Sequence, residues 1–452
     1  MSKSLLGMAL EDYLAEHDKN DMQETSEIVT EVVQQAELND ECEEELENTI
    51  SAIVSMEELV AAIEPVDGKL LEESKTAEKI LAVAVENIFV KLGQPLPVSL
   101  GMEDDSEDPD AVKVEAGSLN SKVQALKDFI IRLIQKVIEN FSAIYGYISD
   151  FMAKAFNAAA RLERTAVNLL REVRKINGEP TKTTYPNKEM ALKLAGDEKL
   201  SLTQIFERTL DLTEITVRVN YEQPIKKISK LISDISWTIT YSGKYDAAKS
   251  AEMDNDLKSL PYLLLDSYSG KFLNKNASVL NASDAPEGVD TYTSPILMGN
   301  MAAVLFIPKD HQYLSNFGFK ILPIEDDVSG TEIDREVAIS KRPEMESLLK
   351  MVIHNCGQIR RFNKTLPELN RLNSEMKSTL NFINKKNEVW AGMSLSDDDS
   401  GDRARQRGEL LRTIAIMAPK IAQGIHGKAF AFALNSSRTI LRHVEYSIKA
   451  YA

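Results

Sequence analysis

An apolar residue recurs every three or four positions from about Leu119 to Ile176, and no other feature of the chain restricts its fold as strongly. Val123, Leu126, Ile130, Leu133, Ile134, Val137, Ile138 and Phe141 mark one face. The pattern resumes with Ile148, Phe151, Met152, Ala155, Phe156 and Ala159, then Leu162, Val167, Leu170 and Val173. This spacing is the stripe of an amphipathic helix. A break is expected around Gly146, between Tyr145 and Tyr147, dividing the stretch into two helices. Asn177 and Gly178 form a C-terminal stop, and Pro180 prevents continuation.

Helical periodicity appears elsewhere too. Ile28, Val32 and Val33, then Ile50, Ile53, Val54, Leu59 and Ile63, place helix in 21–63, interrupted by the acidic run Asp40 to Glu47. Residues 70–92 form a second stretch, with Ile80, Leu81, Val83, Val85, Ile88 and Val90, ending near Gly93, Pro95 and Pro97. GMEDDSEDPDAVKVEAGS (101–118) is acidic, contains Gly and Pro, and reads as a linker open to proteases. The region 181–345 is mixed. Ile215, Val217 and Val219 alternate with polar residues as a half-buried strand would, and AAVLFIP (302–308) and KILPIED (320–326) are short apolar runs. Residues 344–389 and 404–450 return to helix, the latter interrupted near Pro419 and Gly424. The predicted fold class is therefore mainly α with a small β-containing middle region (α+β). Its parts are an acidic helical segment 1–115, a basic amphipathic segment 116–180, a mixed region 181–345 and a helical region 346–452.

Charge is divided along the same lines. The 452 residues carry a net charge of −17. Residues 1–115 hold 30 Asp and Glu against 7 Lys and no Arg, a formal −23, whereas 116–452 hold 46 basic against 40 acidic side chains, +6. Within the body, positive charge gathers in 116–176 (+5) and 403–452 (+7). Phosphate polymers are repelled by the front and attracted by these two regions. Candidate phosphate contacts are Lys122, Lys127, Arg132 and Lys136, then Arg161, Arg164, Arg171, Arg174 and Lys175, and Arg438 and Arg442 near the C-terminus. The same cations also suit an ordinary solvated helix face with intrahelical Glu–Arg pairs. Tyr145, Tyr147 and Phe151 suit base stacking, or packing against a partner helix.

Catalytic patterns are absent from the sequence: there is no GxxxxGK[ST], GxGxxG after a strand, HExxH or GxSxG. His17, His311, His354, His426 and His443 are scattered. His354 and Cys356 stand two apart, so on a helix they point away from each other. A buried cysteine beside a surface histidine is expected there. The two cysteines, Cys42 and Cys356, have no partner motif for a disulfide framework or zinc, and fit a reducing compartment. No cofactor, metal or enzymatic activity is expected. The N-terminus lacks the pattern of a secretory signal, and charges interrupt every apolar run well before about 18 residues, so no membrane span is expected.

The layout resembles the internal head (inner body) proteins of giant phiKZ-like tailed phages. The likeness is carried by KDFIIRLIQKVIENFSAIYGYISDFMAKAFNAAARLERTAVNLLREVRKINGEP, in which Arg161, Leu162, Arg164, Ala166, Leu169 and Leu170 occupy the family's places, and by the ending SRTILRHVEYSIKAYA. The resemblance implies a non-enzymatic protein made in the host cytoplasm and housed in the virion, inside the capsid. It implies packing into the prohead core with other capsid core proteins, and removal of the front by the phage head-maturation protease. It also implies non-specific association with packaged double-stranded DNA and, for some members, ejection into the host. The protease's preference for a small residue, any residue, then Glu makes Glu57, Glu86 and Glu103 candidate cleavage points. Glu115 stands at the composition boundary, with Lys113 in place of the small residue. Two other readings remain open. One is a non-capsid helical adaptor or phage structural protein with a permanent acidic segment, and the other a genome-delivered enzyme of unfamiliar fold in 181–400.

Overall fold

The 119–176 periodicity becomes one helix. In the computed structural model, α1 runs unbroken from Leu119 to Val173, 55 residues, a rod about 80 Å long. The structure describes residues 26–36, 42, 45–53, 55–56, 59–60, 83–88, 90, 119–218, 226–228, 230–231, 272–275, 286–309, 316–324, 336–367, 420 and 425–451, with isolated positions in 252–265 and 370–381. The side chains of 119–124, 142, 144, 145, 147, 148 and 425 lie outside this description. So do the linker 101–118, all of 70–82 and the segment 382–419.

The expected break at Gly146 does not occur. A glycine inside a helix costs about 1 kcal/mol relative to alanine, less than burying a single large side chain yields. Phe141 and Phe151, on either side of it, are both fully covered. The stop at the other end is as expected. The chain turns at Arg174–Lys175, and Gly178 adopts φ +92°, a left-handed conformation that favours glycine.

Two short helices follow. α2 (Lys188–Leu194) is capped by Asn187, whose Oδ1 accepts from Met190 N at 2.9 Å. α3 (Leu202–Arg218) starts in a capping box: Gln204 Oε1 accepts from Ser201 N at 3.0 Å, and Ser201 Oγ accepts from Gln204 N at 3.3 Å. The strand expected around Ile215 and Val217 is instead the last turn of α3. Half of its buried residues are threonines, Thr209, Thr213 and Thr216, spaced for a helix beside Ile205, Phe206 and Leu212. The Thr213 and Thr216 hydroxyls donate back to the carbonyls of Thr209 (3.1 Å) and Leu212 (2.7 Å). Residues chosen by apolarity alone, Ile215 and Val217, are only half-buried.

The β-containing middle is a four-stranded antiparallel meander, β2 (Asn274–Lys275), β3 (Val289–Thr293), β4 (Met301–Pro308) and β5 (Gly318–Pro323), in that spatial order. β4 is apolar throughout because both its faces are covered. Ala303, Leu305 and Ile307 enter the main core, while Ala302, Val304 and Phe306 pack with Val289 in a second small cluster. A separate ribbon pairs β1 (Thr184–Pro186) with β6 (Glu336–Ala338). α4 (Arg342–Arg361, with proline in its first turn) and α5 (Ile425–Lys449) complete the bundle. α4 lies along α1 and α3, and α5 packs on all three. Ala155, Ala158, Ala159 and Ala166 on α1 are buried and small, which lets neighbouring helix axes approach closely.

The acidic front shares this core. Residues 26–36, and 45–53 after them, are helical, so the acidic run does not interrupt helix at 45–47. Val29, Val32, Leu46, Ile50, Ile53, Met56, Val60, Val85 and Ile88 are buried in the same cluster as the apolar stripe of α1.

The C-terminal half of α5 is fastened by a buried polar knot. His443 Nδ1 lies 3.0 Å from Tyr185 Oη on β1, and its Nε2 lies 2.8 Å from Ser340 Oγ beyond β6. Ser340 N donates to Ser447 Oγ at 3.2 Å, and Thr181 N donates to Ala450 O at 2.7 Å. A neutral imidazole has one donor and one acceptor nitrogen, which suits two hydroxyl partners. Burial pushes the His443 pKa down to about 4.

Gly146 is exposed and a Cβ built there meets nothing within 4 Å. Gly146→Ala is expected to stabilise the protein by about 1 kcal/mol, read as a higher thermal midpoint. For His443, the unfolded chain takes up a proton below about pH 6.5, whereas the folded protein resists until about pH 4. Stability contributed by the neutral ring is therefore complete above pH 6.5 and is lost as pH falls to about 4, on the order of 3 kcal/mol. Urea midpoints measured across that window should fall more steeply for the wild type than for His443→Gln.

Candidate polyanion-binding surface

The predicted phosphate contacts fall into three groups. The first lies on the N-terminal half of α1, where the acidic front meets the basic helix. Lys136 Nζ is 2.8 Å from Glu45 Oε1. Lys154, not among the expected contacts, is 3.3 Å from Glu31 Oε2, and Lys420 is 3.6 Å from Glu47 Oε2. The front thus neutralises body cations within the same chain. Pairs as open as the two on α1 contribute only about 0–1 kcal/mol each, so the apolar side chains between them carry most of the attachment. Lys127 is half-buried, Arg132 is exposed over the Phe129 ring with its Nε donating to Asp128 O at 3.4 Å, and the Lys122 side chain lies outside the described residues.

The second group is exposed. Arg164 and Arg171 stand seven residues apart, two helical turns, on the solvent face of α1. Arg174 and Lys175 follow in the turn beyond. Arg171 Nη1 donates to Asn168 Oδ1 at 3.4 Å. Arg161, earlier on the helix, is half-buried. This end of α1 presents four cations to solvent, with Glu172 also exposed among them.

The third group is covered. Arg438 and Arg442, one turn apart on α5, both reach the start of the 26–36 helix. Arg438 Nη1 donates to Ser26 O and to Thr30 Oγ1, each at 3.0 Å, and Arg442 Nη2 donates to Ser26 Oγ at 2.9 Å. Burial is the main cause, and the neighbouring Arg442 charge a second, that lowers the Arg438 pKa from its usual value. A cleft of about 550 Å³ opens beside the pair, between α2, α5 and residues 26–27. Lys193 and Lys449 also line it, as do Glu27, Glu189, Glu445 and the exposed ring of Tyr446. Glu189 is held below the usual carboxylate range by its hydrogen bond from Lys193, then by the charges of Lys193, Arg442 and Arg438. Lys193 and Lys449 escaped the sequence reading because they lie far apart in the chain and only folding places them beside one cleft.

Of the candidate cleavage points, Glu86 sits exposed in the helical segment 83–88, while Glu57, Glu103 and Glu115 lie outside the described residues. Cys356 is buried, and desolvation pushes its thiol pKa up. His354 is exposed and turned to Glu214 Oε1 at 2.8 Å. The Ser340–His443 contact resembles a nucleophile–base pair in distance, but both residues are buried, at 3% and 1% exposure. A tyrosine occupies the orienting position usually held by a carboxylate. Among the described residues no group of three or more His, Cys, Asp or Glu is placed to hold a metal ion, and no helix is long and apolar enough to cross a membrane.

Neither a search of curated proteins nor one of solved structures finds a match. A family model does match, over residues 19–410, spanning most of the acidic front, α1, the sheet and α4. The chain belongs to the phiKZ-like phage internal head proteins.

Proposed function

We propose that this internal head protein is packed into the prohead core with other core proteins, is cut by the head-maturation protease in the linker before α1, and stays with packaged double-stranded DNA through non-specific phosphate contacts. The observation that carries the DNA reading is the open end of α1, where Arg164, Arg171, Arg174 and Lys175 face solvent. Each phosphate they neutralise releases counterions and yields affinity without base recognition. Ion pairs such as Lys136–Glu45 and Lys154–Glu31 supply the masking. Acids of the front hold body cations until the front is displaced. A role of this kind requires no catalytic residues, and ejection with the genome is an extension of the same reading.

A second reading keeps the acidic front as a permanent part of the protein. It is favoured by Val29, Ile50 and Ile53, which are buried in the cluster that also covers α1. A cut in the linker alone would leave these side chains packed, so release of the front needs a further step that peels them away.

Mass spectrometry of purified virions separates the two. A mature N-terminus near residue 116 is expected, and an intact front in the virion would favour the second reading. For DNA association, the affinity of the virion-extracted protein for a mixed-sequence duplex should fall with salt. Replacing Arg164, Arg171, Arg174 and Lys175 together with glutamine should reduce the log–log salt slope by about 3 to 4. An unchanged slope would remove this face from the DNA contact.

A further inference from the structure

Arg438 and Arg442 are arranged around an occupant that is not an acid. Guanidinium groups four residues apart on one helix repel each other, and Arg438 is partly withdrawn from water besides. Convergent arginines of this kind ordinarily enclose a carboxylate or phosphate. Here the acceptors are neutral: the carbonyl and hydroxyl of Ser26 and the hydroxyl of Thr30 on the 26–36 helix, and Asn435 Oδ1 on α5, which takes Arg438 Nη2 at 2.8 Å. The nearby carboxylate of Glu189 hydrogen-bonds Lys193 at 2.5 Å instead. Two of these neutral oxygens lie together, one turn of helix bringing Thr30 Oγ1 within 2.9 Å of Ser26 O. The cleft beside the pair gives a solvent path to the guanidiniums, with Lys193 and Lys449 in its wall alongside Glu27, Glu189 and Glu445.

We propose that Arg438 and Arg442 form a phosphate-binding site that the 26–36 helix closes by presenting neutral oxygens in place of the anion, so that phosphate and this helix compete for the same donors. The competition would couple the two ends of the chain. A phosphate bound at α5 releases the start of the acidic front, and a docked front keeps phosphate out. A neutral occupant suits such a switch, because it satisfies the donors without the charge that would make its displacement by phosphate costly. The packaged duplex as the source of phosphate rests on the reading above, whereas the competition itself does not.

Hydrogen–deuterium exchange on the full-length protein tests it, with sodium tripolyphosphate and a mixed-sequence duplex as separate probes at matched ionic strength. Backbone amides of residues 30–36 should exchange at least tenfold faster at saturating tripolyphosphate. Ser26→Asp places a carboxylate between the guanidiniums, so at least tenfold more tripolyphosphate should be needed for the same release. In the Arg438→Gln/Arg442→Gln double variant the same amides should exchange at one rate with and without the probe. Continued protection of 30–36 at saturating tripolyphosphate overturns the proposal, and so does a Ser26→Asp protein that responds as the wild type does. If tripolyphosphate releases the helix and the duplex does not, the competition stands and DNA is not its partner. If the duplex binds while 30–36 stay protected with both probes, the competition falls and DNA association through α1 stands.

Discussion

A helix of 55 residues with an apolar stripe along its length cannot stand alone in water, and the rest of the structure follows from how that stripe is covered. Its C-terminal half is buried by α4 and α5, where Ala155, Ala158, Ala159 and Ala166 allow close approach. Its N-terminal half carries Leu126, Ile130, Leu133, Ile134, Val137 and Phe141, all buried. The same cluster contains the apolar residues of the acidic front, from Val29 to Ile88. Helical stability in proteins comes mainly from such tertiary burial and only secondarily from propensity. The front is thus a structural neighbour of α1 as well as a charged segment.

This changes the weight given to electrostatics. The acidic and basic halves of the chain do meet, at Lys136–Glu45, Lys154–Glu31 and Lys420–Glu47. The two on α1 are partly open to solvent, and pairs of that kind select orientation more than they supply energy. Salt weakens them, while the apolar contacts remain. Charge pairing is therefore the part of the front's attachment most open to competition by other ions. Arg164, Arg171, Arg174 and Lys175, at the end of α1, are exposed.

Polar groups inside the bundle decide how its elements register. Asn355 Nδ2 on α4 donates to Ala433 O and Ser437 Oγ on α5, and His443 joins α5 to β1 and the segment after β6. Each donor buried without a partner would cost roughly 1–3 kcal/mol, so a helix sliding by one turn would lose several such bonds together. That registration places Arg438 and Arg442 opposite Ser26 and beside the cleft.

Local signals were enough to determine the helical character of α1 and the stop at Gly178, because each depends on residues adjacent in the chain: a 3.6-residue repeat and a left-handed glycine. The same logic misread the end of α3, where the buried residues Thr213 and Thr216 are threonines; the capping box at Ser201 and Gln204 was the local signal that favoured a helix there. It also placed a break at Gly146, where a local penalty of about 1 kcal/mol yields to burial on both sides. Charge counting located the cations of α1 and α5 and the acids that answer them. Only the tertiary structure decided which cations stay open, which are paired, and that a neutral serine sits between two arginines. Those outcomes depend on contacts between residues up to 416 positions apart, which pairwise spacing along a chain does not encode.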